Sequence, residues 1–75
     1  MDREPRVEMH PLQELIYKKG YTLTEFADIC GISRQSFYSL FSGRTKSMRT
    51  EYQHRISENL HEPFEKIIYL TTEGL

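Results

Sequence analysis

Between Gly31 and Thr50 the chain reads GISRQSFYSLFSGRTKSMRT, which sets Arg34, Arg44, Lys46 and Arg49 among Gln35, Tyr38, Thr45 and several serines with no acid in the stretch. Guanidinium and ammonium groups neutralise phosphates, and Arg, Gln, Ser and Tyr side chains offer donors and acceptors suited to the edges of bases. The charge distribution sharpens this reading. Residues 29–50 hold four basic side chains and, apart from them, no charge, a local value of +4, so the whole-chain value of −1 leaves −5 for the remainder. One basic patch sits on an otherwise acidic chain, so total charge alone would miss a nucleic-acid surface.

Other chemistries find little support. His10, His54 and His61 do not fall at a metal-ligand spacing, and Cys30 is the single cysteine. A zinc centre is therefore not expected, and an internal disulfide is impossible. The histidines read as surface residues, His54 with a phosphate contact as its alternative. No nucleophile, base and orienting acid assemble, and no Gly-rich phosphate loop is present. The expectation is a protein that is not an enzyme and needs no metal or cofactor. A lone cysteine suits the cytoplasm. The longest wholly apolar run, IIYL, is far too short for a membrane span, and the charged start MDREPR does not read as a signal peptide.

These side chains need a scaffold, and a chain of 75 residues supports one core only. The expected class is all-α, a compact bundle of about five short helices. Residues 1–9, with Pro5 and several charges, read as a flexible arm, residues 10–70 as the domain and residues 71–75 as a tail. Pro11 suits the first position of a first helix whose apolar face is Leu12, Leu15 and Ile16, with Gly20 as its stop. In YTLTEFADICG, Thr22 and Glu25 form a capping box, Tyr21 and Phe26 a hydrophobic staple, and Gly31 the end of helix 2. Ser33 repeats the device for helix 3, expected over Arg34–Ser42 with Ile32 stapled to Phe37 and with Phe37, Leu40 and Phe41 inward. Gly43 closes it, RTKS loops, and helix 4 is expected from Met48 with Met48, Tyr52, Ile56 and Leu60 on one face. A short fifth helix follows in PFEKIIYL.

Two short helices joined through Gly31, the second presenting Arg34, Gln35, Ser36, Tyr38 and Ser39 outward, make a helix-turn-helix pattern. Over roughly Leu12 to Ile68 the chain resembles the lambda-repressor-like family of DNA-binding domains, which includes the phage repressors and Cro proteins. The resemblance is most specific in TLTEFADICGISRQSFYSLFSG, at Thr22, Glu25, Phe26, Ala27, Gly31, Ile32, Ser33, Phe37 and Gly43. It implies five helices, helix 3 in the major groove and a two-fold dimer on a near-palindromic site. It also implies base or phosphate contacts from Arg34, Gln35, Tyr38 and Ser39, and backbone contacts from Arg44 and Thr45. Where the family often carries a phosphate-binding glutamine, at the start of helix 2, this chain has Leu23, and Thr24 is the replacement.

The residues weigh in separately. An arginine in the first turn of a helix faces the positive end of the dipole, a cost of about 0.3–1 kcal/mol, so Arg34 points to an external partner such as a guanine edge or a phosphate. Arg44, Lys46 and Arg49 cluster around the same motif. Tyr38 has a plain alternative in packing against a neighbouring helix, and Ser36 and Ser39 are small enough to be spacers. Phe64, Ile67, Ile68 and Leu70 cap the core or form a dimer contact, and the small size of the domain favours the dimer. The expected function is a sequence-specific transcriptional regulator of phage or mobile-element repressor type that occupies a double-stranded DNA operator. A protein-interaction module of the same fold, antirepressor or antitoxin in type and bound to another regulatory protein, is the rival. A DNA-binding recombination accessory factor is the third reading.

Overall fold

Short-range capping contacts start the first three helices of this all-α chain. The computed structural model describes residues 9–72, so the expected arm, apart from Met9, and the last three residues of the expected tail lie outside the described residues. Helix α1 spans Pro11–Lys18, where His10 Nδ1 accepts from the Leu12 N–H at 3.1 Å. Helix α2 spans Leu23–Cys30 and carries the full capping box: Thr22 Oγ1 accepts from the Glu25 N–H at 3.1 Å while Glu25 Oε1 accepts from the Thr22 N–H at 3.0 Å. The Tyr21 and Phe26 rings lie 5.4 Å apart, as a staple requires. Thr22→Ala should therefore lower stability by about 0.5–2 kcal/mol while Thr22→Ser changes little, a contrast that thermal melting of the three proteins measures.

Helix α3 spans Arg34–Phe41, with Ser33 Oγ accepting from the Ser36 N–H at 3.2 Å. It ends one residue before the expected Ser42, which becomes its C-cap. Helix α4 spans Thr50–Leu60 rather than starting at Met48. The difference comes from a distant partner, because Ser47 forms an antiparallel β-bridge with Thr72 and Arg49 is extended at φ −58°, ψ 147°. Met48 is nonetheless buried just ahead of the helix. Helix α5 spans Phe64–Leu70.

Helix α4 lies against α2 and α5, α1 against α2 and α5, and α3 against α2. The core between them is built from fully buried Leu12, Ile16, Phe26, Phe37, Ile56, Leu60 and Ile67. Phe37 is the anchor of α3: its ring lies 6.1 Å from Phe26 and 6.0 Å from Phe41. Lys19 Nζ reaches Glu62 at 3.0 Å, and Lys66 joins it at 3.4 Å. The Lys19 ammonium, with Lys66 beside it, holds the Glu62 carboxyl below its ordinary value.

The domain runs past its expected end at residue 70. Thr71 is fully buried, Gln53 Nε2 donates to its hydroxyl at 2.8 Å, and the Thr71 hydroxyl donates to the Ile67 carbonyl at 2.7 Å. Thr71 and Thr72 are thus part of the folded unit and not of a tail.

Candidate nucleic-acid interface

The turn between α2 and α3 is set by backbone geometry first. Gly31 adopts φ 71°, a left-handed conformation that costs glycine little, and the Ile32 N–H bonds the Ala27 carbonyl at 3.0 Å. Ala27, Ile32 and Phe37 are buried, so α3 is fixed by its inner side and its other side is left outward. A brace comes from α4. Arg55 Nη1 approaches the carbonyls of Cys30 and Gly31, each at 3.4 Å, and Nη2 donates to Glu51 at 2.6 Å. Arg55 is not legible from sequence as part of this site, because its partners in the turn lie 24 and 25 residues away and its local pattern is only a helix-surface pair with Glu51.

Arg34, Gln35 and Tyr38 are exposed on α3, Tyr38 at 54%. Ser36 and Ser39 are half-buried, and the Ser36 hydroxyl lies 3.0 Å from that of Ser33. The loop after α3 folds back on the helix, since the Ser39 carbonyl accepts from the Arg44 N–H at 2.9 Å and the Thr45 N–H at 3.0 Å. Arg44 and Lys46 project from that loop as exposed side chains. An open cleft of about 400 Å³ brings Gln35, Ser36, Ser39, Thr45 and Arg49 together along α3 and the start of α4. A second cleft of about 510 Å³ between α2 and α3 joins Thr24 to Arg34. Leu23, at the position where the resembled family often has glutamine, is buried in the core and presents nothing outward.

The described cations differ in their partners and in their clustering. Outside the patch, Lys19, Lys66 and Arg55 pair with acids, whereas Lys18 at the end of α1 is exposed and in no ion pair with a described residue. Arg34, Arg44, Lys46 and Arg49 form no ion pair with any described residue, and Arg49 instead lies 5.4 Å over the Tyr52 ring. Four positive groups without an acid partner among the described residues therefore lie on α3 and the loop that follows it, and two of them, Arg49 and Arg34, line the clefts.

The residues expected at a dimer contact do not share one exposed face. Ile67 is fully buried in the core, because its position on α5 turns it inward among the other helices, and it offers no surface to a partner. Leu70 is half-buried against the core, and Phe64 is half-buried under His54, ring on ring at 3.9 Å and 2°. Of the four, Ile68 alone looks outward, 37% exposed, and Tyr69 at 66% joins it, although the apolar spacing of the segment does not mark it.

Among the histidines, His10 is not a plain surface residue: it caps α1 and lies 5.0 Å from the Phe41 ring. Burial pushes the Cys30 thiol up to about 11 against the opposing pull of Arg55, so at neutral pH it is a protonated core side chain and a poor nucleophile. Among the described residues no three His, Cys, Asp or Glu side chains stand close enough to share a metal ion. No described helix is long and apolar enough to cross a membrane. Compared with protein-family models, curated proteins and solved structures, the chain matches none.

Proposed function

We propose that this chain is a sequence-specific double-stranded DNA-binding regulator of transcription, of the phage or mobile-element repressor kind that its sequence resembles. In this reading α2 and α3 form a helix-turn-helix, α3 enters the major groove, and the protein acts in the cytoplasm by occupying an operator. Two copies would bind half-sites about 34 Å apart. The observation that carries it is the clustering around α3 of four exposed cations without acid partners among the described residues. Within the set, Arg34 is the base reader and Arg44, Lys46 and Arg49 hold phosphates, with Thr24 and Thr45 beside them. Gln35, Ser36, Tyr38 and Ser39 complete the groove-facing surface.

Selection from a random duplex pool tests the reading. A recovered palindrome supports DNA binding, specificity and two-fold symmetry together, and a pool that never enriches overturns it in favour of a protein partner. Arg34→Ala should lose about 1–3 kcal/mol at a single base position and relax the preference there. Lys46→Ala should weaken all duplexes nearly alike. Competition binding against single-base variants of the selected site separates the two, and a uniform loss for Arg34→Ala would move Arg34 into the phosphate group.

A further inference from the structure

The loop that carries Arg44, Thr45 and Lys46 has two supports. At its start the Ser39 carbonyl holds the Arg44 and Thr45 amides. Its far end is held from across the sequence, where Ser47 pairs with Thr72 in an antiparallel bridge. Thr72 is in turn fixed by its neighbour. Thr71 is fully buried, and its hydroxyl accepts from Gln53 Nε2 at 2.8 Å and donates to the Ile67 carbonyl at 2.7 Å. Gln53 is itself buried on α4, a few residues after Arg49. A buried amide and hydroxyl in direct contact are oriented tightly, because either one left without its partner bears the full desolvation cost.

We propose that Gln53, Thr71 and Thr72 are positioning residues for the phosphate-contacting loop: the buried Gln53–Thr71 hydrogen bond fixes the chain after α5, and the Ser47–Thr72 bridge passes that fixed position to Arg44 and Lys46. The proposal rests on the DNA-binding reading above. None of the three side chains needs to touch DNA. Their role is to reduce the number of conformations that the loop cations sample, so that these cations meet phosphates already placed.

The test compares wild type, Thr71→Val, Thr71→Ser and Gln53→Leu/Thr71→Val as full chains, by amide hydrogen exchange in residues 44–47 and by the salt dependence of binding to a selected duplex. Thr71→Val strands the Gln53 amide. The double variant replaces both polar partners by apolar groups and should recover stability without restoring the directional link. Thr71→Ser keeps the hydroxyl and should behave as wild type. The expected result is faster exchange at residues 44–47 in both Val variants, with the log–log salt slope shallower by about 0.9 for each phosphate that the loop no longer neutralises. A fall in folded fraction alone would lower affinity equally at every salt concentration and leave the slope unchanged. If the double variant keeps wild-type exchange and slope, the hydrogen bond only stabilises the core and the proposal is overturned. If wild type binds no duplex at any salt, the DNA reading fails and takes the loop's role with it, and the exchange data then show separately whether the tether itself exists.

Discussion

Phe37→Ala is expected to remove a large share of the chain's stability. A domain of 75 residues has about 4–11 kcal/mol to lose at about 0.05–0.15 kcal/mol per residue, and truncating a buried phenylalanine costs about 3–5 kcal/mol. Phe37 is fully buried and its ring meets those of Phe26 and Phe41, so its removal leaves a cavity between α2 and α3. Denaturant titration reads the effect as a large drop in midpoint. Tyr38→Ala, next in sequence but exposed, should change stability by about 0.5 kcal/mol or less. Equal effects at the two positions would contradict the orientation of α3, and with it the outward set that begins at Arg34.

Binding to duplex DNA should fall steeply with salt. Three phosphates neutralised by Arg44, Lys46 and Arg49 give a log–log slope of about −2.7, which lowers affinity roughly 40-fold between about 50 and about 200 mM salt. Removing Arg44 and Lys46 together should bring the slope to about −0.9. The cause is that none of the three has an acid partner among the described residues, since a cation already paired would have to break that pair before releasing a counterion from DNA. A titration of wild type and the double variant at several salt concentrations checks both values. A flat response would place the chain with modules that bind other proteins.

What can be read from the sequence is local. Thr22 and Glu25 stand three residues apart and bond each other's backbone whatever the rest of the chain does. Ser33 and Gly31 act over the same short range, so the boundaries of α2 and the start of α3 follow from them. The misplaced features depend on distant partners. Helix α4 starts late because Ser47 pairs with Thr72, far along the chain. Ile67 reads as part of a dimer face because periodicity marks a side chain as apolar without saying which neighbour covers it, and the core covers it. Gln53 and Arg55 look like ordinary polar positions of α4, yet one is buried against Thr71 and the other reaches the turn before α3. In the candidate interface, the exposure of Arg34, Gln35 and Tyr38 follows from the inward spacing of Phe37 and Leu40, whereas the clefts beside them require the fold.

The outward residues of α3 take no part in holding the helix. The side chains of Arg34, Gln35 and Tyr38 form no hydrogen bond or ion pair with other described residues, while Ser33, Phe37 and Leu40 supply the cap and the anchor. Exchanges at the three outward positions should each cost the fold about 0.5 kcal/mol or less. The helix is therefore a surface on which mutation can rewrite what is recognised while the inherited architecture stays intact. A lineage carrying this scaffold could diverge to new targets one outward residue at a time, with no intermediate that fails to fold.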